Sequence, residues 1–205
     1  GGIIEIYEKF MGDDPKKIPM KIFPAVHYSM GGLWVDYDQM TNIPGLFAAG
    51  EVDYQYHGAN RLGANSLLSS IFGGMVAGPK AVEYLNGLSK HADDVSSTVF
   101  DGEMKKQQEK YDSILNMDGN ENAYVIHKEL GEWMTDNVTV VRYNDRLKKT
   151  DEKIQELMER YKNINVNDTG KWNNQAAPFT RQLWNMLELG RVITIGALNR
   201  DESRG

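Results

Sequence analysis

The residues of this chain best suited to chemistry crowd into two short blocks. The denser one is His57-Gly58-Ala59-Asn60-Arg61-Leu62-Gly63-Ala64-Asn65-Ser66-Leu67, a few residues after Gly50-Glu51. A short apolar run, Leu46 to Ala49, ends there on a glycine and an acid; a glycine-rich loop with a histidine and an arginine follows, and then a helical pattern begins. The Arg61 guanidinium is a planar fork that can grip a carboxylate through two parallel hydrogen bonds. A helix start exposes unsatisfied N–H groups and partial positive charge, which suit an anionic oxygen. Glu51, at the carboxyl end of a buried strand, can accept hydroxyl protons from a ribose or ribityl chain. A turn in which Glu51 and Arg61 only pair with each other would use the same residues.

The second block is His27-Tyr28-Ser29-Met30-Gly31-Gly32. An imidazole followed by two glycines can offer a ring N–H beside exposed backbone N–H groups, although a structural histidine at a tight turn has the same spelling. The remaining histidines, His91 in a polar linker and His127 in a helical pattern, are not expected to carry a role. No HExxH or other dense metal-ligand spacing is present, so the sequence points to no metal site, and no P-loop or GxSxG motif is present either.

The elements that must position these blocks follow from local signals. Pro19 to His27 reads as extended chain, because each proline biases its predecessor away from helix. Gly31 to Asp36 reads as a tight turn entering a short strand, and Ile43-Pro44-Gly45 as a turn. Leu46 to Glu51 suits a buried strand of a parallel sheet. Asn65 or Ser66 can cap a helix from Leu67 to about Leu85. Leu67, Leu68, Ile71, Phe72, Met75 and Val76 form its apolar stripe; Ser66, Ser70, Gly73, Gly74 and Ala77 form a second stripe of small residues. Each interior glycine costs about 1 kcal/mol of helix propensity against alanine, a cost that close backbone packing can offset.

The first 90 residues hold 13 of the 20 glycines and 5 of the 6 prolines, and the rest of the chain is denser in charge. The boundary falls near Ser89 to Ser97. Beyond it the periodicity predicts helices at about Asp101–Asn116, Asn120–Asp136, Val141–Lys162 and Pro178–Arg200, a three-to-four-helix antiparallel bundle. The expected inward faces are Tyr111, Ile114 and Leu115; Val125, Leu130, Trp133 and Met134; and Ile154, Leu157, Met158 and Tyr161.

Composition narrows the function classes. With 23 basic against 29 acidic residues and a formal charge of −6, a nucleic-acid binder resting on a broad cationic face is disfavoured. The 205 residues contain no cysteine, which excludes disulfides, thiolate zinc and cysteine-ligated iron–sulfur clusters on this chain. The 18-residue charge-free stretch Leu62 to Pro79 is too polar for a transmembrane helix. The chain opens and closes without helix or strand punctuation, so a piece of a longer protein is expected.

HYSMGG, then IPGLFAAGE, then HGANRLGANSLL, in this order and spacing, resemble the flavoprotein subunits of succinate dehydrogenases and fumarate reductases. Gly131-Glu132-Trp133-Met134 with Val141-Arg142, and Asn185 onward through Ala197 to Gly205, extend the resemblance over essentially the whole chain. Val35-Asp36-Tyr37-Asp38 and Asn65-Ser66-Leu67 look most like bacterial succinate dehydrogenases with a di-haem anchor.

The resemblance implies an α+β fragment. Residues 1–26 would be the tail of a capping domain, 27–90 the C-terminal segment of a split FAD-binding α/β domain, and 91–205 an incomplete helical C-terminal domain. It also implies that His27 and Arg61 bind a small dicarboxylate, that Glu51 binds FAD through its sugar-alcohol chain, and that Ser66 and Leu67 meet the isoalloxazine ring. No catalytic residue is expected here, because the family's proton-accepting arginine and its covalent flavin histidine lie upstream. Succinate would be oxidised to fumarate with hydride transfer to FAD. Electrons would pass to an iron–sulfur subunit, and a membrane-anchor cytochrome b subunit would hold the complex at the cytoplasmic face of the cell membrane. The isolated chain is expected to be inactive. The alternatives are an L-aspartate oxidase, a soluble fumarate reductase, or a non-enzymatic helical interaction module.

Overall fold

Four helices in the charge-rich half build the main core. The structure is a computed structural model and describes residues 2–22, 27–58, 60–170 and 172–202. It contains α1 (Gly2–Met11), α2 (Asn65–Asn86), α3 (Ser97–Leu115), α4 (Ala123–Asn137), α5 (Asn144–Tyr161) and α6 (Ala176–Arg200). The predicted helix limits in the second half differ from these by at most four residues, and the caps show why for two of the starts. The Ser96 hydroxyl accepts from the Thr98 N–H and starts α3, and the Asn122 side chain does the same for Tyr124 and starts α4.

Ile114 and Leu115 of α3, Ile126 and Leu130 of α4, Ile154 and Leu157 of α5, and Leu183 and Leu187 of α6 fill one apolar cluster. Each such side chain, removed from water, contributes about 1.5–3 kcal/mol. Along α6 the buried positions are Ala177, Thr180, Leu183, Leu187, Gly190, Thr194 and Ala197, each three or four residues from the last. Small residues dominate that seam and let neighbouring helices approach closely. A Cβ on Gly190 would lie 3.3 Å from Leu130 Cδ1.

Contacts give the helix directions. Glu121 and Glu129 of the α4 side meet Arg160, while Glu132 and Asp136 share a groove with Arg146 and Lys149, so α4 and α5 run antiparallel. Tyr161 meets Trp184, Asp151 meets Arg191 and Asn144 meets Asp201, so α5 and α6 are antiparallel too. His127 meets Phe179 and Leu130 meets Gly190, so α4 and α6 run the same way.

In the glycine-rich half, only isolated bridges stand among the described residues where strands were expected. Leu33 pairs with Asp53 in parallel, and Val35 with Thr41 and Met40 with Phe47 antiparallel. Leu46 to Glu51 is therefore not a strand of a parallel sheet among the described residues. Gly50, at φ +84°, instead turns the chain into a short 3-10 helix, Gly50–Val52. The predicted cap of α2 is also corrected. Asn65 and Ser66 are its first helical residues, and the cap position is Ala64 in the left-handed region at φ +65°, without a side-chain cap.

The apolar stripe of α2 faces outward, with Leu67 75% and Met75 71% exposed, and of the small-residue stripe Gly73 is buried against the 3-10 turn while Ser70 and Gly74 are exposed. Of the Pro19 to His27 segment, residues 23–26 lie outside the described residues. Among the described residues, no helix is long and apolar enough to cross a membrane.

Candidate active site

The segment from Tyr28 to Met30 ties the two chemical blocks together, one residue at a time. The Tyr28 hydroxyl lies 3.3 Å from the Ser69 hydroxyl and 3.3 Å from His57 Nε2. The Ser29 N–H donates to Glu51 Oε1 at 2.8 Å. The Arg61 N–H donates to the Met30 sulfur at 2.9 Å. Three successive residues of an irregular segment thus reach the 3-10 turn, the glycine-rich loop and α2. Close approach is possible because Gly32 follows. A Cβ there would sit 2.1 Å from the Val52 carbonyl oxygen, which receives the Leu33 N–H at 2.8 Å.

Glu51 and Arg61 do not take each other as partners. Glu51 is exposed and accepts the Ser29 N–H, while the Arg61 guanidinium lies over the Tyr28 ring, 5.4 Å from its centroid. Stacking uses the face of a guanidinium and leaves its in-plane N–H fork for an anion. One of those donors, Nη1, reaches the Leu62 carbonyl at 3.3 Å. His27 is exposed and directly precedes Tyr28, so the same seam that carries Arg61 carries it. Ser66 is half-buried in the first turn of α2, where its carbonyl accepts from the Ser69 and Ser70 hydroxyls, and Leu67 points outward beside it.

Sequence reasoning missed the residues that hold this arrangement. Tyr28, His57 and Ser69 form a closed polar triangle, with His57 Nε2 3.2 Å from Ser69 Oγ. Behind it, Gln39 is buried at φ +69° and sets a polar core for the turn. Its amide nitrogen lies 2.9 Å from Asp53 Oδ2 and 2.7 Å from the Tyr56 hydroxyl. Burial, reinforced by the Asp53 carboxylate, pushes the Tyr56 phenol up to about 12. The available signal was the density of Tyr, His, Gln and Asp between two glycine turns; which of them meet depends on contacts 12 to 41 residues apart.

Among the described residues no group of acids and histidines is arranged to hold a metal ion. The arrangement brings a guanidinium fork, an imidazole and a carboxylate to one seam, chemistry that suits an anionic or hydroxyl-rich molecule.

Two families match the chain: "FAD binding domain" over residues 1–67 and "Fumarate reductase flavoprotein C-term" over residues 127–205. The chain is 76% identical over its full length to the succinate dehydrogenase flavoprotein subunit of Bacillus subtilis strain 168, covering 35% of that protein. It is 36% identical over 99% of its length to the fumarate reductase flavoprotein subunit of Haemophilus influenzae, covering 33% of it. A solved quinol-fumarate reductase with menaquinol molecules superposes with a TM-score of 0.88 at 33% identity, over 100% of this chain and 35% of the other. The chain thus spans about a third of the length of these relatives. By full-length identity and by fold, it belongs to the succinate dehydrogenase and fumarate reductase flavoprotein subunit family.

Proposed function

We propose that this chain is part of the flavoprotein subunit of a succinate dehydrogenase that oxidises succinate to fumarate. The observation that carries the reading is the 76% identity over all 205 residues to a succinate dehydrogenase flavoprotein subunit. The 36% identity to a fumarate reductase subunit makes the reductive assignment the weaker one.

In this reading His27 and Arg61 grip the two carboxylates of the substrate, and the seam at Tyr28 to Met30 fixes the distance between them. Held this way, the substrate is oriented before any bond changes, which lowers the entropic part of the barrier. Arg61 supplies a fork rather than a point charge, so it sets the carboxylate's plane as well as its place. FAD, when bound, would supply the hydride-accepting chemistry.

The chain's residues fit such a group. Glu51 is exposed and is held through one oxygen by the Ser29 N–H, so it can accept hydroxyl protons of a sugar-alcohol chain. The start of α2 carries no side-chain cap, so Ser66 and Leu67 can present the helix end to a flat, electron-rich ring. Proton removal from the substrate is assigned to an arginine outside this sequence.

We assign residues 1–26 to the tail of a capping domain, 27–90 to the last segment of the flavin domain and 91–205 to the helical domain. Two features support this. Helix α1 buries none of its residues, and α2 keeps a long apolar face outward. Both faces would be covered by further parts of a larger flavoprotein. An iron–sulfur subunit and a cytochrome b membrane anchor would take the electrons onward to quinone, with the subunit peripheral on the cytoplasmic face of the membrane.

The test is Arg61→Lys in the full-length flavoprotein. Charge is kept and the fork is lost, so kcat/KM for succinate should fall at least about tenfold while flavin content stays normal. A near-normal KM and kcat would remove Arg61 from the substrate site.

A further inference from the structure

We infer that Tyr28, held by His57 and Ser69, is a positioning residue that aims the substrate-binding Arg61. The inference rests on the reading of Arg61 as a carboxylate fork. Three observations converge on it. The Tyr28 hydroxyl, His57 Nε2 and the Ser69 hydroxyl lie pairwise within 3.2 to 3.3 Å. The Ser69 O–H is spent on the Ser66 carbonyl at 2.9 Å, so its oxygen is left to accept, and the imidazole N–H and the phenol are its donors. Ser69 is buried on α2, which makes it a fixed post rather than a surface hydroxyl.

The ring of Tyr28 is held as well. His57 stands edge-on to it, with centroids 5.2 Å apart at 81°. Over the ring lies Arg61, 5.4 Å from the centroid. An arginine side chain has many rotamers, and a fork acts on a carboxylate only in one plane. Its place over an immobilised ring restricts those rotamers and leaves the N–H edge, apart from the Nη1 bond to Leu62, for an anion. His57 therefore acts on substrate only through Tyr28, and Tyr28 only through Arg61.

The experiment uses the assembled, flavin-containing enzyme and succinate, with malonate as a non-reacting dicarboxylate probe. Tyr28→Leu removes the ring, and Tyr28→Phe keeps the ring but releases it from Ser69 and His57. For Tyr28→Leu, KM for succinate and the malonate dissociation constant should both rise about three- to tenfold, with kcat changing less and flavin content unchanged. Tyr28→Phe should give a smaller rise of the same kind, and His57→Ala should match it. His57→Gln, which keeps an N–H donor, should recover part of the loss. In an Arg61→Lys background, Tyr28→Leu should add little, because the residue it serves is already blunted.

Unchanged KM and malonate affinity in both Tyr28 variants overturn the inference, and so do Tyr28→Leu and Arg61→Lys effects that multiply in full. Should Tyr28→Leu lose flavin or fail to assemble, Tyr28→Phe, which conserves volume, decides by the same criterion. If Arg61→Lys alone impairs binding while both Tyr28 variants bind normally, only the positioning role fails. If Arg61→Lys has no effect, the carboxylate reading fails and this inference with it.

Discussion

The backbone of Gly73 lies so close to Gly50 that a Cβ at Gly73 would stand 3.1 Å from the Gly50 nitrogen. The same Cβ would be 3.1 Å from the Ala49 methyl and 2.1 Å from the Tyr56 hydroxyl. This contact seats α2 on the 3-10 turn that carries Glu51. The neighbouring Gly74 has nothing within 4 Å of its own Cβ position.

Gly73→Leu should therefore lower stability by about 1–3 kcal/mol or more through overpacking. Gly74→Ala should leave it unchanged or raise it by up to about 1 kcal/mol through helix propensity. Thermal melts of the two variants beside the parent check this. A Gly73→Leu protein as stable as the parent would mean that α2 does not rest on the turn.

Gly32→Ala should damage the site without touching any anchor. Its methyl would be forced onto the Val52 carbonyl, the acceptor of the Leu33 N–H, and both partners are backbone. The turn must then shift, and Glu51 shifts with it. The expected result is a full-length protein with reduced flavin content, read from its visible absorbance against protein concentration. Normal flavin loading would sever the link from Gly32 to Glu51.

Stability should depend on acid pH through Glu129. Hydrogen bonds from Arg160 and then Lys153 hold its carboxyl down at about 2, well below the usual carboxylate value. A depressed folded pKa means that the stabilisation is complete above the unfolded value of 4.5 and is lost as pH falls from there toward about 2. Glu129→Gln should flatten the stability–pH curve in that window and cost about 1–3 kcal/mol near neutrality, where Arg160 and Lys153 lose a shared acceptor. Denaturant titrations at several pH values give both slopes. Parallel curves for parent and variant would count against the pairing.

Tyr56→Phe should lose about 1–2 kcal/mol, because Gln39 and Asp53 beneath the turn would lose a hydroxyl partner. The folded phenol is raised to about 12 from 10, so its contribution holds below pH 10 and is lost as pH climbs from there toward 12. Difference titration of tyrosinate absorbance, parent minus variant, should show one phenol ionising late. A phenol ionising near 10 in that difference would contradict its burial.

Much of the helical half was legible in the sequence. Ile114, Leu115, Leu130, Ile154, Leu157 and Tyr161 recur at helical spacing, and all six are buried. Local order decides such faces, since side chains three and four apart share one side of a helix. The face of α4 was misjudged by one residue: Ile126 is buried while Val125 is 47% exposed, because two adjacent aliphatics give the period no way to choose. The order of HYSMGG, IPGLFAAGE and HGANRLGANSLL is what assigns His27, Glu51, Arg61, Ser66 and Leu67 to one proposed site.

Tertiary structure alone decided the rest. The outward turn of the α2 apolar stripe followed from which side met the 3-10 turn, and small residues won there because only they let the two backbones touch. The salt-bridged Arg160 and the triangle of Tyr28, His57 and Ser69 join residues 12 to 41 positions apart. Periodicity and propensity act over one or two turns of chain. Which distant donor meets which acceptor is settled only when packed elements bring them within hydrogen-bond reach and no water remains to satisfy them instead.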